Sequence, residues 1–324
     1  MGAANSTIYN AVLAGREEIN AGLLVMRVQP DSVLSDFKSG QFAVLGLMGR
    51  EARVPEADPE EPPSEPDQMI RRVYSIVSSS VEKQCIEFYV NLTASGQLTP
   101  RLFALPNGHR LYLSHKAAGI FTLDRVAPGK SVILVATGTG IAPYMSMLRT
   151  ALVTDTSRPY VVLHGARHSW DLGYRAELET LARLRRNLTY IPSITRPDED
   201  PHFRGETGRV QNLLAKGAIE TLSGVQLDPS KSEIFLSGNP EMIWRRRRFW
   251  FPGASNLTKP GNQERFTWRH TGERGPPTIW RRNLARRQRF EIRPRMQEPP
   301  KRNLAIGLCG FRDFQGPEPL PRSV

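Results

Sequence analysis

Two glycine turns in this chain each follow a run of apolar residues. Thr137-Gly138-Thr139-Gly140 comes after "SVILVA" and leads through Pro143 into "YMSMLRTAL", whose apolar spacing predicts a helix. Ser237-Gly238-Asn239-Pro240 comes after "EIFL". Gly138 and Gly140 let the backbone turn tightly and approach a pyrophosphate, whose charge is favoured at a helix N-terminus. Pro143 stands at or near the helix start, where a missing N–H costs nothing. The third glycine of the dinucleotide fingerprint is absent, and a tight turn without a ligand would use the same residues.

Context separates the two readings. Arg167 lies just past the run "YVVLHGA", and Arg196 sits at the equivalent end of "LTYIPSI". In an open α/β sheet the carboxyl ends of the strands are where ligands bind. A guanidinium there can pair bidentately with a phosphate such as the 2′-phosphate of NADP. Tyr174 could stack on an adenine or merely cap a helix–sheet contact. Surface charge without a ligand is the plain alternative for either arginine.

A second group lies earlier in the chain. In "RRVYSIVSS" strand alternation puts Arg72 and Tyr74 on one face, with Val73 and Ser75 on the other. On the outside of a barrel such a pair could hold a phosphate and a ring, with Ser75 reaching a polar ring atom. "ASGQLTPRLFAL" offers Gly96, Gln97, Leu98 and Thr99 ahead of a short helix, either a phosphate cradle or an ordinary capped turn. His164 and His168 have no further ligands at metal spacing. No Ser/His/Asp or Cys/His constellation is legible. Nucleotide sites without proton-transfer residues point to redox chemistry carried by a cofactor.

These residues need two kinds of scaffold. From about 20 to 127, "GLLVMRVQP", "QFAVLGLMG", "RRVYSIVSS", "CIEFYVNLT" and "RLYLSH" read as short strands between turns, as in an antiparallel barrel. The acidic, proline-rich segment 51–67 lacks large apolar residues and is expected to be a mobile surface loop. From 128 to 243 continuous apolar strands alternate with the helices "YMSMLRTAL", "RAELETLARLRR" and "GRVQNLLAKG", the grammar of a doubly wound parallel sheet. The expected domains are therefore 1–127, 128–243 and a tail, 244–324.

The 324 residues carry a formal charge of +12, from 44 Lys and Arg and 32 Asp and Glu. The tail alone holds 19 basic and 6 acidic residues, together with four of the five tryptophans. The body, with 25 basic against 26 acidic residues, gives no sign of a nucleic-acid or membrane partner. Cys85 and Cys309 form no metal or disulfide pattern, which fits a reducing cytoplasm. No apolar run approaches the ~18 residues that span a bilayer, and "MGAANSTIYN" is a poor signal peptide.

"RRVYSIVSS", "GQLTPRL", "ATGTGIAP", "HGARHSWDLGYRAEL" and "FLSGNPEM" stand in the order and near the spacing of bacterial ferredoxin (flavodoxin)–NADP reductases. The resemblance covers about residues 20–243. It implies an FAD-binding β-barrel followed by an NADP-binding α/β domain, in a cytoplasmic flavoenzyme whose partner is ferredoxin or flavodoxin. Carried over, Arg72 would contact the FAD pyrophosphate, Tyr74 would pack on the flavin, and Ser75 would bond near its N5. Val73 belongs to the same strand, and Gly96, Gln97, Leu98 and Thr99 would hold FAD phosphates. Thr137, Gly138, Thr139, Gly140, Pro143 and Gly238 would receive NADP, with Arg167, Tyr174 and Arg196 around its 2′-phosphate. Ser237 stands where the family usually has a cysteine beside the nicotinamide. A monomer is expected. A flavin or other acceptor reductase is the alternative within enzymes; an inactive nucleotide-binding module with a basic interaction tail is the alternative outside them.

After "GNPEM" the family continues with a helix and a last strand, whereas this chain runs into Trp244 and four arginines. A disordered tail, a nucleic-acid-binding extension and a shifted reading frame are the three explanations. Reading the last base of each codon with the first two of the next, Phe249-Trp250 must give Leu and Trp250-Phe251 must give Val. One permitted translation from Trp244 is an amphipathic helix, a turn and a strand ending Tyr-Trp, with a stop across Gly272-Glu273. That translation resembles the missing family terminus, and the shifted frame is the expectation among the three.

Overall fold

The computed structural model describes residues 8–239, Met242 and 263–266. The first half is built from β1 (Ala11–Asn20), β2 (Leu23–Pro30), β3 (Phe42–Met48), β4 (Met69–Ser75), β5 (Ile86–Asn91), helix α1 (Leu98–Ala104) and β6 (Arg110–Leu113). Its strands pair antiparallel in the order β4-β3-β6-β1-β2-β5. An isolated antiparallel bridge, Ile76 to Phe88, joins the end of β4 to β5 and draws the two edges of the sheet together. The interior is a cluster that includes Leu13, Met26, Leu45, Phe88, Leu102 and Leu111, with α1 contributing Leu98 and Phe103.

β1 is absent from the sequence expectation, which begins the barrel near residue 20. Its central "GREE" carries no apolar alternation, and its pairing with β2 shifts register at Leu13/Gly15 and at Glu18/Asn20. Each such irregularity resets which residues face inward, so the period of two disappears.

The acidic segment expected to be a mobile loop is tied to the barrel. Val54 N–H donates to the Pro100 carbonyl (3.2 Å), and Asp58 N–H to that of Ala94 (3.1 Å). Glu60 sits between Arg53 (2.6 Å) and Arg101 (2.5 Å), with its side chain 9 % exposed and that of Arg101 only 3 %. Arg101 also donates to the Gly49 and Gln97 carbonyls. A segment too polar to bury apolar surface is here held by charge-assisted hydrogen bonds instead.

The second half comprises β7 (Ser131–Thr137), α2 (Ala142–Ala151), β8 (Tyr160–Ala166), α3 (Arg175–Leu184), β9 (Leu188–Ile194), β10 (Glu206–Thr207), α4 (Val210–Ala215), α5 (Ala218–Ser223), β11 (Ser232–Ser237) and β12 (Gln263–Phe266). The strand order is β10-β9-β8-β7-β11-β12, parallel throughout except that β12 runs antiparallel to β11. The chain moves outward from β7 to β10 and then returns to lay β11 on the other side of β7. Four residues of the tail thus form an edge strand; the disorder expected for the rest of 244–324 lies outside the described residues.

One apolar cluster crosses between the halves. Leu23, Val25, Val77 and Tyr89 from the barrel side pack with Phe121, Leu134, Tyr144, Met147, Leu178 and Phe235. Polar contacts reinforce it: Ser146 Oγ donates to the Ser78 carbonyl (2.7 Å), and Thr150 Oγ1 accepts from Ser80 N–H (2.9 Å). Glu87, on β5, accepts from Arg27 (3.0 Å), Arg149 (2.9 Å) and Tyr174 (2.9 Å), while Arg149 also pairs with Glu177 (2.7 Å).

Candidate functional site

The return of the chain across β7 creates a topological switch point between β7 and β11, the place where open α/β sheets bind ligands. Both glycine turns meet there. A Cβ on Gly140 would lie 2.4 Å from the Ser237 carbonyl oxygen and 2.6 Å from the Gly238 nitrogen. Gly238 has φ +123°, and a Cβ on it would lie 2.3 Å from Thr137 Oγ1. Asn239 N–H donates to that same hydroxyl at 2.9 Å. The two backbones therefore approach more closely than any other residue would permit. A Cβ on Gly138, at φ +52°, would meet nothing within 4 Å, so the turn opens onto free space. Pro143 begins α2, as expected, after a short 3-10 turn over Gly138–Ile141.

His164 lies beneath this turn, fully buried on β8, with Nδ1 3.3 Å from the Tyr190 hydroxyl. Burial pushes its pKa down to about 4, against a smaller opposing effect of the Gly138 backbone. Its imidazole is neutral at physiological pH and adds no cation to the turn. Ser237 is 1 % exposed at the end of β11.

Arg167 follows β8 directly, and Arg196 follows β9 by two residues. Their loops touch, since Arg196 N–H donates to the Arg167 carbonyl at 3.0 Å. A third arginine, Arg209, follows the short strand β10 by two residues, so three adjacent parallel strands each present one near their carboxyl ends. The sequence reading passed over Arg209 because it fell inside "GRVQNLLAKG", taken whole as a helix. A two-residue strand has no period to detect; the Gly208-Arg209 step before the helix was the available signal. Among the described residues the Arg167 side chain makes no ion pair, whereas Arg196 pairs with Glu199 at 3.4 Å. Glu199 also accepts from His168 Nε2 at 2.8 Å. His168 stacks on Trp170, with centroids 4.4 Å apart and planes within 8°.

Tyr174 is not placed with these arginines. It is the one non-glycine residue at positive φ (+61°) among the described residues, and its ring lies in the seam between the halves. Tyr89 meets it edge-on (5.3 Å), Arg149 lies over it (5.3 Å), and its hydroxyl donates to Glu87. The left-handed step at Tyr174, just before α3, is accompanied by a ring placed against β5, an interdomain contact that the two readings of the residue from sequence did not include.

On the barrel side, Arg72 and Tyr74 do share a face of β4, as alternation requires. Their register partners, Leu45 and Ala43, are buried core residues, so the shared face is the core side rather than the barrel's outside. Both side chains are only half-buried there. Burial pushes the Tyr74 hydroxyl well above its ordinary range. Arg72 donates to Gln97 Oε1 (3.0 Å), whose amide donates on to Ser64 Oγ (3.3 Å), joining β4 to the Gly96 turn and to the acidic loop. Leu98 is buried in the core. The Thr99 hydroxyl accepts from Thr93 N–H (3.0 Å) and donates to the Thr93 carbonyl (3.2 Å). Its one proton is thereby engaged in shaping the turn. Val73 is exposed.

Two sites fit their expected occupants on these grounds. The Gly138 turn has the close backbone approach and open space that a dinucleotide requires, and β8, β9 and β10 each carry an arginine just beyond their carboxyl ends. The β4 strand and Gly96 turn, brought together by Arg72 and Gln97, offer a cation beside a half-open aromatic ring. Among the described residues no helix is long and apolar enough to cross a membrane.

Comparison with known proteins agrees with this arrangement. The family described as "Oxidoreductase NAD-binding domain" matches residues 134–247. A flavodoxin/ferredoxin–NADP reductase of Escherichia coli is 31 % identical over 207 residues, covering 64 % of this chain and 76 % of that protein. One from Buchnera aphidicola is 29 % identical over 247 residues, covering 76 % and 89 %. Among solved structures, a ferredoxin NADP+ reductase from Neisseria gonorrhoeae with bound FAD and NADP superposes with a TM-score of 0.60 at 23 % identity, covering 72 % of this chain and 86 % of the other. The cytochrome b5 reductase domain of Ulva prolifera nitrate reductase gives 0.57 at 18 % identity, covering 72 % and 87 %. Both structures share the fold.

Proposed function

The chain belongs to the flavodoxin/ferredoxin–NADP reductase family of oxidoreductases, and from that premise we propose that it moves electrons between NADPH and a ferredoxin or flavodoxin through bound FAD. The observation that carries the proposal is the meeting of Gly140 with Ser237 and Gly238 at the β7–β11 switch point. When bound, FAD supplies two-electron exchange with a nicotinamide and one-electron exchange with a protein partner.

The protein's part is binding and orientation. Arg72 would balance the FAD pyrophosphate charge, Tyr74 would pack on the flavin ring, and Ser75 would hydrogen-bond near its reactive edge, with Val73 alongside. Gly96, Gln97 and Leu98 present backbone to the phosphates, in a turn whose shape Thr99 fixes. Thr137, Gly138, Thr139, Gly140 and Pro143 form the bed for the NADP pyrophosphate. Gly238 would let the nicotinamide end approach, and Ser237 would bound the ring's place without offering a thiol. Arg167 and Arg196, with Arg209 beside them, take the 2′-phosphate. The seam through Glu87, Arg149 and Tyr174 fixes the angle at which the two cofactor sites face each other, a geometry on which the rate depends steeply.

A cytoplasmic, monomeric protein completes the proposal, and the free thiol of Cys85 suits a reducing compartment. The test is an absorption spectrum of the purified protein followed by NADPH oxidation with ferredoxin or flavodoxin as acceptor. A yellow protein that reduces either partner supports the proposal. A colourless one that oxidises no NADPH overturns it, and activity with free flavin alone would transfer the acceptor to a small molecule.

A further inference from the structure

The loop that carries Arg196 also carries a carboxylate, which reaches across to the loop of Arg167. Glu199 Oε2 accepts from His168 Nε2 at 2.8 Å, and both Glu199 oxygens lie 3.4 Å from Arg196 Nη1. His168 in turn is held from the other side by Asp171 (3.1 Å) and stacks on Trp170. Asp200, the next residue, is occupied elsewhere, accepting from Ser169 N–H at 2.7 Å. Glu199 is therefore fixed at the C-terminal edge of the sheet by a histidine from the neighbouring loop, with its charge on one of the arginines assigned to the 2′-phosphate.

We propose that Glu199 sets how strongly this protein discriminates a 2′-phosphorylated nucleotide from one with a free 2′-hydroxyl, by competing for Arg196. The inference rests on the assignment of Arg167 and Arg196 to the 2′-phosphate. A dianionic phosphate approaching Arg196 must displace or repel the Glu199 carboxylate, whereas a ribose hydroxyl can donate to it. The same carboxylate thus weakens one class of nucleotide and favours the other, as an acidic residue beside the ribose does in NAD sites. His168 positions the competitor through its 2.8 Å contact with Glu199, a pairing that raises the histidine pKa and lowers that of the acid. Arg167, which makes no ion pair among the described residues, is the cation left for the phosphate while Glu199 occupies Arg196.

The opposite role is also chemically reasonable, since an acid can preorganise an arginine for its ligand. The two roles differ in sign. Glu199→Gln keeps a hydrogen-bonding group for His168 while removing the charge. Calorimetric titration of the FAD-loaded protein with 2′,5′-ADP and with 5′-ADP, which differ in the 2′-phosphate, separates them without any turnover. Competition predicts that E199Q binds 2′,5′-ADP ~3- to 10-fold more tightly and 5′-ADP unchanged or more weakly. The gain shrinks in 1 M salt, where exposed charges are screened within ~3 Å. Weaker or unchanged 2′,5′-ADP binding by E199Q overturns the proposal, as does a gain that high salt leaves intact. Arg196→Ala tests the underlying assignment separately. If wild type binds 2′,5′-ADP and R196A does not, the site stands whatever E199Q does; if wild type binds neither nucleotide, the site and the inference fall together.

Discussion

Gly140 and Ser237 are in backbone contact across the β7–β11 crevice, so close that a single added carbon would sit 2.4 Å from the Ser237 carbonyl oxygen. Neither side can yield cheaply, because β7 and β11 are paired along their whole length, from Ser131–Ser232 to Ala136–Ser237. Gly140→Ala is expected to cost about 1–3 kcal/mol in stability, the usual price of overpacking, and to abolish NADPH binding while leaving the barrel able to hold FAD. Thermal melting together with nicotinamide-nucleotide titration of the yellow protein checks both parts.

Arg72 reaches from β4 to Gln97 and so ties the two stretches assigned to FAD. Losing a charged hydrogen-bonding partner typically costs about 1.5–3 kcal/mol. Arg72→Ala should therefore release FAD roughly 10- to 100-fold more readily, measured by the recovery of free-flavin fluorescence on dilution. Retention equal to wild type would remove Arg72 from the pyrophosphate.

The Glu60 carboxylate is held far below its ordinary range, to about 2, chiefly by its hydrogen bond to Arg101. A depressed acid contributes stability that is present above its unfolded pKa, near 4.5, and lost as pH falls toward about 2. Glu60→Gln should flatten the acid limb of the stability curve over that window. At neutral pH it should cost about 3 kcal/mol, because Arg101 is left buried without its counter-charge. Urea unfolding between pH 2 and 7 reads both effects.

Arg149 joins α2 to Glu87 on β5 and to Glu177 on α3. Arg149→Met keeps much of the packing but leaves Glu177 without its ion pair and Glu87 with Arg27 as its remaining cation, and a loss of about 1–2 kcal/mol follows. Hydride transfer from NADPH to FAD should slow as well, since the seam that fixes the angle between the sites is loosened. Stopped-flow reduction at saturating NADPH separates that effect from weaker binding; an unchanged rate would confine Arg149 to stability.

For the tail, the coding sequence around codon 243, read one base out of step, is expected to encode a helix, a turn and a strand ending Tyr-Trp, then a stop. Any other translation disposes of the shifted frame.

The α/β half was largely legible because its strands are buried on both faces and so appear as unbroken apolar runs. β7 and β8 are each almost wholly buried, and "SVILVAT" and "YVVLHGA" announce them. β1 was not legible, since register shifts and exposed charges hide its alternation. The contact between the loops of Arg167 and Arg196 could be anticipated from equivalent positions after successive strands. The role of Tyr174 could not, because it depends on one left-handed residue turning a ring toward a strand 87 positions earlier in the chain. The anchoring of segment 51–67 was hidden for a related reason: composition shows that a segment cannot bury apolar surface, but not that Arg101 stands ready for Glu60.

The apolar cluster shared by Leu23, Val25, Tyr89, Tyr144 and Phe235 has a bearing on modularity. Although the chain reads as two domains in series, the nucleotide-binding half is no portable cassette. Excised after Arg125 it would carry away one wall of a common interior and leave Phe121 behind with the other. Recombination at that border would therefore be punished twice, once in each fragment. The two halves can be expected to have travelled together, exchanging residues along the seam rather than partners across it.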